Sequence, residues 1–215
     1  MAKKREADYG EDNKVTTRND FIKAYYPKGV TTADLKLMRL VISQCRKYDT
    51  EFYEYQFNIM DVAERFGMDK SNLYREAHDL AVRLFQCFIE IPSGGKKKWR
   101  HVFEQAEYSS GIFTMQLKED MRDLFLGLKR GNFTSIPLLP ILAMKKKNSI
   151  RLYELICQKF MSHYPYAGNA TVITISLEEL REITETVKKS YDHTGHLKNK
   201  TNRRSEERRV GKECR

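Results

Sequence analysis

The apolar positions of this chain change period several times, and each change marks an element. After Thr31, the residues Leu35, Met38, Val41, Ile42 and Cys45 recur at three- and four-residue intervals, the spacing of a helix with one buried face. Thr31 stands where an N-cap belongs, and Asp34 at the third helical position completes a capping box. "EFYEYQFNI" is then rich in β-forming aromatics and predicts a strand. Asn58 can cap the next helix, in which Ile59, Val62, Ala63 and Phe66 fall on one face, and Gly67 sits where a left-handed terminator belongs. Asp69 caps a further helix, with Met68 and Leu73 at the spacing of a hydrophobic staple. At about 100° per residue, Leu73, Ala77, Leu80 and Leu84 share one side of it. Ser71, Arg75, His78 and Asp79 face away, with Asn72 and Tyr74 on the flanks. One face serves a core and the other is free.

"FIEIPSGGKKKWRHVFEQAEY" reads as two strands around a flexible basic tip at residues 92–98. "IFTMQL" alternates and makes a third strand, and residues 120–128 return to helix. Helix, strand, helix, turn, helix and basic hairpin is the layout of a winged helix, an α+β fold built on a helix-turn-helix. Residues 1–18 are polar and mixed in charge, and read as a flexible N-terminal tail. In "NFTSIPLLPILAMKKKNSIRLYELICQKF" Pro137 and Pro140 break the early part, and residues 149–160 form an amphipathic helix. "TVITI" predicts a strand, and Ser176 with Glu179 opens a helix at "SLEEL" through a second capping box. Helix, strand, helix repeats the start of the first unit, so a second winged helix is expected to begin here.

Charge changes the picture from fold to partner. The chain has 215 residues and a net charge of +10, which argues for a polyanion. Its 12 Tyr and 11 Phe exclude a disordered basic tail. No apolar run approaches a membrane span, and "MAKKREADYGEDNK" lacks the apolar core of a signal peptide. Cys45, Cys87, Cys157 and Cys214 are far apart in sequence, which gives no metal knuckle or redox pair and fits a reduced, cytoplasmic protein. No membrane partner, metal or cofactor is implied.

The free helix face then has a chemistry. A helix in the major groove presents its N-terminal residues to base edges. Arg75 suits a guanine and Asn72 an adenine, while Lys70, Ser71 and Tyr74 suit phosphates and His78 lies on the same face. Lys96, Lys97, Lys98 and Arg100 would give a wing sequence-independent attraction to phosphates. The bland alternatives are a solvated helix face and a solubilising loop. "MKKKN" at residues 144–148 reads equally as a DNA contact or an exposed junction. No catalytic residues are assigned, and the chain reads as a non-enzyme. A rolling-circle nickase needs a His-hydrophobe-His metal pair, but His193 and His196 are separated by "TG". "PSGGKKK" lacks the spacing and following helix of a phosphate loop. Adjacent Glu178 and Glu179 point in different directions on a helix and suit its N-terminal dipole.

"NDFIKAYY", "VAERFGMDKSNLYREAHDLAVRLFQ", "NFTSIPLLPILAMKKKNSIRLYELICQ" and "SLEELREI" resemble the initiator replication (Rep) proteins of theta-replicating, iteron-containing bacterial plasmids. The resemblance spans about residues 19–201, and "SIRLYELI" is its most specific part. It implies tandem winged-helix domains, binding to repeated double-stranded origin DNA and no catalysis by the protein itself. It also implies self-association, with dimers repressing their own promoter and monomers starting replication, and partnership with the host replication initiator and helicase. The expected division is a tail at 1–18, a first winged helix at 19–131, a linker at 132–148 and the start of a second winged helix at 149–203. The last twelve residues, "RSEERRVGKECR", match no part of the family and reproduce the conceptual translation of a common sequencing adapter. Residues 204–215 are therefore expected to be non-native and the second winged helix incomplete. That tail carries +2, so +8 of the charge remains with the body. The alternative is a winged-helix transcriptional regulator with no role in replication.

Overall fold

Reciprocal capping starts the first long helix. In the computed structural model, which describes residues 3–69, 71, 73–93, 95–128, 132–163 and 172–185, Asp34 N donates to Thr31 Oγ1 at 3.3 Å and Thr31 N donates to Asp34 Oδ2 at 2.7 Å. The helix they open, α2 (Thr32–Ser43), follows a short α1 (Asn19–Ile22). It is buried well beyond the one face its periodicity predicts: Leu37, Arg39 and Leu40 are as inaccessible as Leu35 and Met38. The reason is its place at the centre, enclosed by the elements described next.

Strand β3 (Glu54–Asn58) buries Tyr55 and Phe57 and hands over to α3 (Ile59–Phe66), where Asn58 Oδ1 accepts from Met60 N at 2.8 Å. Gly67 ends α3 with φ 65° and ψ 39°, as expected from the sequence. A Cβ there would meet nothing within 4 Å, so its cost is conformational alone. Gly67→Ala should therefore lose about 1–2 kcal/mol in urea denaturation, and Gly67→Asn less; equal stability of all three would refute the turn's need for glycine.

After α4 (Leu73–Phe85) come β4 (Phe88–Ser93), β5 (Lys96–His101), β6 (Phe103–Ser109) and β7 (Ile112–Leu117). Residues 88–108 thus hold three strands where the sequence reading expects two. Val102 makes the break: it is fully buried, and its N–H turns back to Cys87 O at 3.4 Å. The expected helix at 120–128 is shorter, a 3-10 turn (Glu119–Met121) followed by α5 (Arg122–Phe125).

The expected loose tail is instead structured. β1 (Lys4–Glu6) joins β3 in parallel, in a sheet of order β1-β3-β7-β6. β2 (Lys14–Arg18) pairs antiparallel with β8 (Phe133–Pro137) and buries Val15 and Thr17. Backbone groups do the pairing, so the polar side chains do not reveal it. Arg5 adds a two-pronged ion pair to Asp49 at 2.8 and 2.9 Å and lies 3.7 Å from the Tyr53 ring centroid.

The segment expected as a linker is core. Ile136, Leu138, Ile141 and Leu142, from β8 and α6 (Leu138–Ala143), share one hydrophobic cluster with Val15, Leu40 and Phe57. Pro137 stands at the N-cap position of α6 without a side-chain capping bond and Pro140 lies in its first turn, where a missing N–H costs little, so the prolines sit at the start of a helix rather than break one. α7 (Lys147–His163) packs on α1, α2 and β8, and α8 (Leu177–Ile183) packs on α7 behind the Ser176–Glu179 capping box. The strand expected at "TVITI" does not form over residues 172–175, which pair with no edge among the described residues. A strand without a partner leaves its backbone unpaired. Thr171, the remainder of the second winged helix and residues 204–215 lie outside the described residues. Among those described, no helix is long and apolar enough to cross a membrane.

Candidate nucleic-acid interface

The second helix of the helix-turn-helix is anchored by its inner face. Leu73, Ala77, Leu80 and Leu84 are at most 1% exposed, and α4 lies against β6 of the four-stranded sheet. Ser71 N donates to Asp69 Oδ1 at 2.9 Å, so Asp69 caps the entry, and that bond holds its carboxyl below the usual carboxylate range. With the inner face used, Ser71, Tyr74, Arg75 and His78 are left exposed together at the N-terminal half. Among the described residues Arg75 has no carboxylate partner, and His78 Nδ1 lies 3.5 Å from Asp79 Oδ1. Lys70 and Asn72 lie outside the described residues.

The wing is β4 and β5. Their register sets Ile89 opposite Arg100 and Ile91 opposite Lys98, with Glu90 opposite Trp99 and Pro92 opposite Lys97. Ile89 and Ile91 are buried, so Lys98 and Arg100 lie on the face that meets the body, while Lys97 and Trp99 lie on the outer face. Lys96, Lys97 and Lys98 are all exposed near the tip. Lys97 Nζ lies 2.8 Å from Glu90 Oε1, and this hydrogen bond raises its pKa. Arg100 turns inward: Nη1 donates to Asp123 Oδ1 at 2.6 Å and to the Asp120 carbonyl. The structure therefore brings the lysines together at the tip and sets Arg100 apart as the bond that fastens the wing to α5.

Sequence reasoning missed the aromatic side of the wing. Tyr25 bridges to Glu90 through two backbone hydrogen bonds of 2.8 and 3.0 Å, which extends the row Tyr25, Glu90, Trp99 across the outer face. Tyr25, Phe88 and Trp99 are all strongly exposed. It also missed a buried charge cluster behind the interface. Arg39 Nε and Nη2 donate to Glu154 Oε1 and Oε2 at 2.6 and 2.9 Å. Arg151 Nη1 reaches the same carboxylate at 3.4 Å, and its Nη2 donates to Ala24 O at 2.6 Å. Both guanidiniums lie over the Tyr26 ring. Burial alone would pull the Arg39 guanidinium down, but the facing Glu154 carboxylate outweighs it and holds the group above its usual range.

Residues 14–157 match the family model described as Initiator Replication protein, WH1. The chain belongs to that family. The match includes β2, β8 and α6. Among solved structures, the crystal structure of Pi initiator protein in complex with iteron DNA is similar, with a TM-score of 0.59 at 16% identity. The likeness covers 82% of this chain and 74% of that one, and at this identity it speaks to the fold. No curated protein matches. Two of the segments that carry the resemblance, "NDFIKAYY" and "SIRLYELI", supply Tyr26, Arg151 and Glu154, and they meet around Arg39.

Proposed function

We propose that this initiator-family protein is a plasmid replication initiator that binds the repeated double-stranded DNA (iterons) of its origin. α4 lies in the major groove and the β4–β5 lysines lie on the flanking phosphates. The observation that carries this reading is the exposed set Ser71, Tyr74, Arg75 and His78 on a helix whose opposite face is fully committed to the core. The fold likeness to Pi initiator protein, solved with iteron DNA, supports it. The protein acts by binding, not catalysis, in the cytoplasm, and its further roles follow the family. Dimers repress its own promoter, monomers start replication, and the host initiator and helicase are recruited. The division into a first winged helix, its core including β2, β8 and α6 beyond residues 19–131, and a second beginning at 149 belongs to the same proposal. α7 packs on α2, so the two units are expected to move as one until that contact breaks.

Fluorescence anisotropy on labelled duplexes between 50 and 200 mM salt tests the interface. The log of affinity should fall linearly with log salt, by about 0.9 for each phosphate neutralised. Salt-insensitive binding, or none at low salt, would defeat the proposal. A plasmid carrying the origin but lacking this gene separates initiator from transcriptional regulator. Supplying the protein should restore replication, and a regulator alone would not.

A further inference from the structure

Among the described residues, one cation near the helix-turn-helix has no anion. Lys36 on α2 is 5% exposed. Its Nζ donates to the carbonyl of Phe66, the last residue of α3, at 3.2 Å and lies 5.6 Å from that residue's ring centroid. That occupies one of the three donors of an ammonium. Among the described residues no carboxylate comes within ion-pair distance of it. Burial pulls its pKa below the ordinary lysine range, with no opposing charge to raise it. A buried charge without a partner is costly, and a ligand that supplies the partner recovers that cost.

Lys36 lines an open cleft of about 480 Å³ between the first turn of α2, the turn at Gly67 and Met68, and the end of α6. Two further cations line it. Arg65 is exposed and lies 4.5 Å from the Tyr9 ring centroid, and Lys145 is exposed, each without an ion pair among the described residues. Glu64 is the one acidic residue lining the cleft. The structure thereby splits the "KKK" run of the sequence: Lys147 is tied to Glu185 at 2.9 Å, while Lys145 faces the cleft beside Lys36. The cleft opens at the turn that leads into α4. A helix that enters the major groove by its N-terminus brings that turn beside the backbone flanking the groove.

We propose that this cleft seats a backbone phosphate of the bound duplex, held by Lys36, Lys145 and Arg65, as a third contact apart from the α4 face and the lysine wing. The inference rests on α4 docking into duplex DNA. Its chemistry is recognition of a phosphate by point charges, so a free phosphate or nucleotide is the rival source.

The test uses the full chain with Lys36→Met, Lys145→Ala, the double variant and Glu64→Gln. Log affinity is measured against log salt, on an origin repeat and on random duplex. Lys36→Met and Lys145→Ala should each flatten the slope on both duplexes, and the double variant by at most about 0.9 in all, because they share one phosphate. Glu64→Gln should bind more tightly at low salt and like wild type at high salt. Thermal melting checks folding, and if Lys36→Met does not fold, the exposed Lys145→Ala and Glu64→Gln decide. Unchanged slopes in folded variants of a protein that itself binds with normal salt dependence would overturn the cleft and leave the α4 reading standing. No duplex binding by wild type would overturn both. Titrations with inorganic phosphate and with ATP form the second arm. Saturable, Lys36-dependent binding of either, with the DNA slope untouched, would assign the cleft to a free ligand and overturn the backbone contact.

Discussion

Glu154→Ala should destabilise the protein by roughly 3–5 kcal/mol, the range for removing one partner of a buried ion pair. The Arg39 side chain is fully buried and that of Glu154 is 2% exposed, so neither charge has water to fall back on. The carboxylate serves two guanidiniums, Arg39 at 2.6 Å and Arg151 at 3.4 Å. Its loss leaves two like charges stacked on Tyr26 with no anion between them. The effect should be large against a total stability of roughly 5–15 kcal/mol. At a urea slope of about 2 kcal/mol per molar, the midpoint should drop by roughly 1.5–2.5 M. The triple variant Arg39→Met/Arg151→Met/Glu154→Leu should recover much of the loss, since exchanging a whole buried ionic group for apolar side chains is often near neutral, whereas Arg39→Met/Glu154→Leu still leaves Arg151 buried without its anion. A midpoint for Glu154→Ala within experimental error of wild type would mean that the cluster does not hold α7 on α2. Because α7 follows the β8–α6 segment directly, the loss should also disturb the spacing between the first winged helix and whatever follows it.

Arg75→Ala should weaken binding to the origin repeat by about 5- to 150-fold, corresponding to roughly 1–3 kcal/mol for a guanidinium reading a guanine edge. Binding to random duplex should barely change. Arg75 is exposed at the N-terminal half of α4 and free of a carboxylate among the described residues, while Leu73 and Ala77 on either side of it fix the helix. Lys97→Ala should instead weaken both duplexes alike, and less than an unpaired lysine would, because its ammonium already bonds Glu90 at 2.8 Å. Competition titrations with the two duplexes distinguish these outcomes. Equal losses on both targets for Arg75→Ala would make it a phosphate contact and move base reading elsewhere on α4.

What the sequence determined by itself is what physics settles within about four residues of chain. Thr31 with Asp34, Asn58, Gly67, Asp69, and Ser176 with Glu179 mark helix ends because a cap bonds the backbone beside it. The buried face of α4 follows from spacing alone, and with it the outward set that makes the candidate interface. Only the tertiary structure decided the rest. β2 finds its partner more than a hundred residues away in β8, and a five-residue edge strand with one apolar side chain carries too little pattern to announce that. Arg39 and Glu154, 115 positions apart, each look like solvated surface charge until both helices are packed. The basic run of the wing is divided by strand register, which points Arg100 at Asp123 and leaves the lysines at the tip. Lys36 reads as an ordinary helical lysine, and only the approach of three element ends makes it a buried cation facing an open cleft. Local bonds are encoded beside the residues that make them, whereas a charge acquires its meaning from the dielectric and the partners that folding brings around it.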